Sequence, residues 1–169
     1  MTELDDGFLR LLEAARQYDT AIIAGCPLAE ADANPAIGAV ICFPDGSIDF
    51  YKKQYLHPGE EHFCTAGQTN YHFKYRGLKL ALAICADFTN PKHIEDAATW
   101  GADIYLVSAL ISEGGYLADS KHLSNIAKNH DMWVALSNHM VQTGGWQACG
   151  QNAIWDRRGA QVIGSKHGE

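Results

Sequence analysis

The chain has 169 residues, 47% hydrophobic and 20% charged, with a formal net charge of -7 from 13 basic and 20 acidic side chains. This is a globular composition, enough for one domain that buries roughly two-thirds of its unfolded surface. It has no basic stripe for a nucleic-acid backbone and no run near the ~18 apolar residues of a membrane span, so neither nucleic acid nor membrane is expected as a partner.

Leu4, Phe8, Leu11, Leu12 and Ala15 recur at helical spacing, and Thr2 with Asp5 is placed to open that helix as a capping box. The acidic start, Met1 to Asp6, lacks the charged-then-apolar order of a signal peptide. Ala21 to Cys26 reads as an apolar strand, and 30–35 as a loop. Ala36 to Phe43 reads as a buried strand that turns at Asp45-Gly46 into a return strand, Ile48 to Lys52. The polar stretch from His57 to Gln68 predicts an ordered loop. Tyr71, Phe73 and Tyr75 alternate with polar residues as a half-exposed strand does.

Arg76-Gly77 turns the chain into a strand from Leu78 to Ile84, ending at Cys85. Pro91 suits the first turn of a helix running to about Trp100. A buried strand over Ala102–Leu110, a helix over Leu117–Asn129, and strands at Met132–Ser137, Ala153–Trp155 and Gln161–Ile163 complete the series. Hairpins interleaved with helices predict a single α/β domain over 1–169 with mixed sheets.

Cys85 is the residue of chemical interest. It closes an apolar strand just before Asp87 and a helix, where a thiol can stand exposed at a sheet edge beside backbone N–H groups able to hold an oxyanion. Position alone leaves a buried core thiol open as the other reading. Tyr51-Lys52-Lys53 follows a strand, and Gly59-Glu60 comes shortly after. A lysine beside a cysteine favours its thiolate and holds developing negative charge, whereas a solvated lysine pair at a strand end has no such role. Strand alternation sends Lys52 and Lys53 to opposite faces.

Together these segments resemble the carbon–nitrogen hydrolase (nitrilase) superfamily. Its lysine run, Tyr-x-Lys-x-His-Leu, is matched by Tyr51, Lys53, Tyr55 and Leu56, with Tyr55 in place of His. Its following Gly-Glu and later Gly are matched by Gly59, Glu60 and Gly67. Its nucleophile motif is matched by Cys85, Asp87 and Pro91, with Ala86, Asn90 and Lys92 substituted, and Gly101-Ala102-Asp103 falls at its Gly-Ala-Asp. Near the end, Gly150, Asn152, Ile154, Asp156 and Gly159 resemble Gly-x-Ser-x-Ile-x-Asp-Pro-x-Gly. The resemblance covers about residues 8–164.

The resemblance implies an α-β-β-α sandwich, incomplete here at both ends, and a homodimer or higher homo-oligomer. It implies hydrolysis of a small amide, less readily a nitrile, through a cysteine thioester. Cys85 would attack, Lys53 and the Ala86 backbone N–H would hold the oxyanion, and Glu60 would support Lys53, with Glu61 the alternative if the loop slips by one. The family's first catalytic Glu lies in a Pro-Glu motif on a strand before the opening helix, and Glu3, Glu13 and Glu30 do not match it. The chain is therefore expected to be truncated and to hydrolyse little by itself. The alternative is a silent fragment or binding module that retains the fold.

No cofactor and no metal are expected. His57 and His62 flank Glu60-Glu61 without the His-Glu-x-x-His spacing of a zinc helix, and His122 and His130 read as surface residues. Gly144-Gly145-Trp146 reads as a flexible turn. The 5 scattered cysteines point to reduced thiols and a cytoplasmic location.

Overall fold

The computed structural model describes residues 6–31, 33–143 and 145–165. The expected capping box at Thr2 and Asp5, and Leu4 of the opening helix, lie outside the described residues, as does Gly144. The chain divides into two compact units, Met1–Thr69 and Asn70–Glu169.

In the first unit, helix α1 (Asp6–Gln17) lies on a three-stranded antiparallel sheet, β1 (Ile22–Leu28), β2 (Ala36–Cys42) and β3 (Ile48–Lys52), in the order β1-β2-β3. The apolar face read from the sequence is the one that docks. Leu12 and Ala15 of α1 are buried with Val40 and Cys42 of β2, while Phe8 and Leu11 pack beside them. Burying one such aliphatic side chain stabilises by roughly 1.5–3 kcal/mol. β2 is the central strand and its residues are buried almost throughout. Pro27 has no N–H for a ladder, and it sits in β1, at an edge of this sheet. The Asp45-Gly46 turn closes with Phe43 N–H donating to Ser47 O at 2.9 Å, and the Asp45 carboxylate accepts from Ser47 N at 2.8 Å.

The second unit is a six-stranded mixed sheet in the order β11-β10-β7-β6-β5-β4, together with two helices. Its strands are β4 (Tyr71–Tyr75), β5 (Leu78–Ile84), β6 (Ile104–Ala109), β7 (Trp133–Asn138), β10 (Ala153–Trp155) and β11 (Gln161–Gly164). β5, β6 and β7 run parallel, and the flanking pairs are antiparallel. The helices α2 (Pro91–Trp100) and α3 (Glu113–His130) are the crossovers that a parallel pair requires. Their apolar residues Ile94, Ala97, Leu123, Ile126 and Ala127 share one core with Ala81, Ala83, Tyr105, Val107, Val134 and Trp155 of the sheet. α2 starts as predicted: Asn90 accepts from Lys92 N at 3.0 Å and Pro91 occupies the first turn. It stops at Gly101, which takes the left-handed conformation at φ 78°.

Three details differ from the sequence reading. α3 begins at Glu113 rather than Leu117, because Ser112 O accepts from both Gly115 N and Tyr116 N and draws the glycine pair into the first turn. The Gly145 region turns between two short strands, β8 (Gln142–Thr143) and β9 (Trp146–Gln147). His122 is half-buried rather than on the surface, with its Nε2 3.0 Å from Phe88 O. No helix among the described residues is long and apolar enough to cross a membrane.

Candidate functional site

Lys53 follows the last residue of β3, and its backbone N–H still bonds Ile37 O of the neighbouring chain segment at 2.8 Å. Alternation turns its side chain inward, where it is only 1% exposed, while Lys52 faces out and pairs with Glu30. A buried ammonium needs a partner, and Lys53 Nζ meets Glu60 Oε2 at 2.5 Å. The same carboxylate oxygen accepts from His57 N at 2.7 Å, so the loop's own backbone aims it at the lysine. Glu61 points elsewhere. Its carboxylate accepts from Gly59 N at 2.7 Å, and the backbone N–H groups of Glu61 and Gly59 hold it below the usual carboxylate range. Gly67 closes the loop against the strand: its N–H donates to Lys53 O at 2.8 Å, and a Cβ there would run into the Lys52 backbone.

Lys53 and Glu60 are thus brought together within the first unit, while Cys85 and Ala86 stand in the second. Cys85 ends β5 and opens a single 3₁₀ turn, Cys85–Thr89, in the left-handed region at φ 48°. A side-chain-bearing residue costs roughly 1–2 kcal/mol there, and such strain persists only where neighbours over-determine it. Asp87 is one such neighbour. It is fully buried, and its Oδ2 reaches back over Cys85 to accept from Ile84 N at 2.9 Å. Thr89 Oγ1 donates to Ala86 O at 2.8 Å, and His122 secures Phe88 O, so the turn is tied along its length.

Two buried groups that the sequence does not single out, His93 and Tyr105, lie close to this turn. His93 of α2 is 1% exposed, with Nε2 4.0 Å from Asp87 Oδ2 and Nδ1 2.7 Å from the Tyr105 hydroxyl of β6. Their rings meet edge-on, centroids 5.8 Å apart. A histidine three residues into a helix carries no sequence signal of this kind; His93 meets Tyr105 because α2 packs back on the parallel pair β5 and β6.

Burial pushes the His93 imidazole below its ordinary 6.5, with the Asp87 charge opposing, and burial lowers His72 likewise against Asp96. Both bind a proton less readily folded than unfolded. Their contribution is therefore complete above about pH 6.5 and declines as the pH falls from there towards the folded values. Urea unfolding should accordingly give a lower midpoint at pH 5 than at pH 7, with a smaller difference in His93→Gln. An equal difference in the variant would show that His93 is not a source of the slope.

Of the other thiols, Cys42 and Cys149 are buried, and Cys26 and Cys64 are partly exposed. Burial pushes Cys26, Cys42 and Cys149 above the usual thiol range, and all five cysteines are free. Among the described residues no cluster of three His, Cys, Asp or Glu is placed to hold a metal ion.

Comparison with known proteins adds independent findings. An (R)-stereoselective amidase of a Pseudomonas species is 30% identical over 99 residues, which is 58% of this chain and 35% of that protein, so the chain spans about a third of its length. The NitN amidase of Nesterenkonia sp. AN1 matches with a TM-score of 0.86 at 23% identity, over 98% of this chain and 67% of its own. A CN-hydrolase superfamily protein of Xanthomonas campestris, with an arsenic adduct in its active site, matches with a TM-score of 0.86 at 19% identity, over 96% of this chain and 64% of its own. One variant of the Nesterenkonia amidase carries acrylamide added to its active-site cysteine, and another holds butyramide. At these identities the structural likeness establishes the fold, an α/β fold shared with these enzymes. The family model for carbon–nitrogen hydrolases matches residues 3–169, and the chain belongs to that family.

Proposed function

We propose that this chain carries the cysteine and lysine of an amidase that hydrolyses small amides through a thioester. The observation that supports this reading most strongly is Cys85 itself. It is a partly exposed thiol in a strained turn at a strand end, and the sequence around it resembles the family's nucleophile motif at Cys85, Asp87 and Pro91. In the proposed cycle, the Cys85 thiolate adds to the amide carbonyl carbon, and the carbonyl π electrons pass to oxygen. Lys53 and the Ala86 backbone N–H stabilise that oxyanion. Collapse breaks the C–N bond and releases ammonia once a proton reaches the nitrogen, leaving the acyl group on sulfur. Water then adds, and acid and free thiol are released.

Glu60 is proposed to position Lys53, and the 2.5 Å pair within the first unit supports that role. The proton shuttle belongs to a glutamate in the family's Pro-Glu motif, which no residue of this sequence matches. Amides are preferred over nitriles because the curated relative and the Nesterenkonia protein are both amidases. The five free thiols favour a reducing, cytoplasmic setting.

The test is ammonia release from a panel of small amides and nitriles by a polypeptide that includes a Pro-Glu strand ahead of residue 1. Turnover on amides that Cys85→Ala abolishes supports the reading; inactivity on every amide and nitrile would favour a binding module with this fold.

Self-association is proposed as well, as a homodimer or higher homo-oligomer. β1 and β3 each pair on one side only among the described residues, and open strand edges template further pairing. Size-exclusion chromatography with light scattering should show a species larger than 18.5 kDa, and a monodisperse monomer would contradict this.

A further inference from the structure

The hydrolytic cycle above leaves one set of buried polar groups without a role: Asp87, His93 and Tyr105, all in the second unit and each at most 1% exposed. A fully buried carboxylate is costly unless it is hydrogen-bonded and electrostatically compensated, and a buried phenol needs a hydrogen-bond partner. Here one imidazole stands between them. Nδ1 lies 2.7 Å from the Tyr105 hydroxyl, and Nε2 faces Asp87 Oδ2 across 4.0 Å.

A neutral imidazole has one donor nitrogen and one acceptor nitrogen. With the proton on Nε2, Tyr105 O–H donates to Nδ1 and the Nε2–H dipole points at the carboxylate. With the proton on Nδ1, an imidazole lone pair would face that carboxylate, and the phenol would have to turn its hydrogen elsewhere. Asp87 is also the group that accepts from Ile84 N and so spans the strained Cys85 at φ 48°.

We propose that His93 is a positioning residue. As the Nε2–H tautomer, it is oriented by Tyr105 and steadies the Asp87 carboxylate, which holds Cys85 in its left-handed conformation. The proposal rests on the reading of Cys85 as the nucleophile. The surroundings support it. Burial, reinforced by the Asp87 charge, keeps the Tyr105 hydroxyl protonated well above the usual range, and burial keeps His93 neutral near pH 7. The charged and titratable groups acting on His93 are Asp87 from the turn, Tyr105 from β6, His72 from β4 and Asp96 from its own helix. The backbone of His93 is itself anchored, with its N–H donating to Asn90 O at 3.1 Å.

The experiment compares the unaltered chain with Tyr105→Phe, His93→Leu and His93→Gln. Nitrogen-15 NMR at pH 7.5 reads the His93 tautomer, and peptide mapping reads the rate of 2-chloroacetamide addition at each cysteine. In the unaltered chain the expected tautomer is Nε2–H. Tyr105→Phe and His93→Leu should slow addition at Cys85 by about tenfold, less than the ~10²-fold that a 1 Å misplacement of a reacting group costs. His93→Gln, whose amide can accept from Tyr105 and donate to Asp87, should recover most of the rate.

Cys42 and Cys149, both buried, are internal controls. A residue that merely stabilised the fold would leave the native Cys85 rate alone and would speed labelling of Cys149. If His93→Leu does expose Cys149, the decision rests on Tyr105→Phe and on the tautomer. An Nδ1–H tautomer, or an unchanged Cys85 rate in variants that keep Cys149 protected, overturns the proposal. Labelling of Cys85 no faster than Cys64 in the unaltered chain would instead overturn the nucleophile assignment beneath it.

Discussion

Ammonia release from small amides should rise by about 10²–10⁴-fold when a polypeptide supplying a Pro-Glu strand is joined ahead of residue 1, compared with the 169-residue chain alone. The reason is the proton inventory. Forming the thioester requires a proton on the leaving nitrogen, and breaking it requires a proton taken from water. In the proposed cycle Cys85 acts as the nucleophile and Lys53 as an oxyanion contact, and neither is assigned the proton transfer. Glu60 is committed: its Oε2 receives both Lys53 Nζ and His57 N, which leaves it facing the lysine. Both polypeptides should be assayed on the same amides. Equal turnover by the two, lost in Cys85→Ala, would show that a group within these residues does the shuttling.

In the extended polypeptide, Lys53→Ala should lower the rate of Cys85 acylation by roughly 10²–10³-fold, the range for removing one oxyanion donor. Lys52→Ala should leave it within about twofold, because that ammonium sits on the other face and pairs with Glu30. The contrast depends on burial. Breaking a fully buried ion pair by deleting one partner costs ~3–5 kcal/mol, and Glu60 is 30% exposed, so the cost here lies below that range. Lys53→Met keeps the volume without the charge and separates a lost oxyanion contact from lost packing. If Met preserved the acylation rate, Lys53 would be a packing residue; equal losses from Lys52→Ala and Lys53→Ala would reduce both to general surface charge.

Much of the framework was legible because its signals are local. Ile48–Lys52 and Leu78–Ile84 alternate or run apolar between turn residues, and both strands form with those bounds. Pro91 and Gly101 bracket α2 as helix-start and helix-stop chemistry requires. The opposite facing of Lys52 and Lys53 follows from the period of a strand.

What stayed hidden depends on tertiary placement. Two adjacent glutamates look alike in sequence, and the loop geometry that sends Glu60 to Lys53 and Glu61 to Gly59 exists only once Gly67 has docked on the strand. The left-handed conformation of Cys85 is likewise unwritten in its residue type, and it occurs beneath the Asp87 carboxylate that reaches back to Ile84 N. His93 and Tyr105 are separated by twelve positions and meet only because a helix folds back onto a parallel strand pair.

Limiting iodoacetamide followed by peptide mapping of the five cysteines tests whether Cys85 is the nucleophile. Alkylation follows thiolate character and access, and burial works against the thiolate at Cys26, Cys42 and Cys149. Cys85 should take the label first, ahead of the partly exposed Cys64. First labelling at Cys64, Cys26, Cys42 or Cys149, with Cys85 still unmodified, would contradict that assignment.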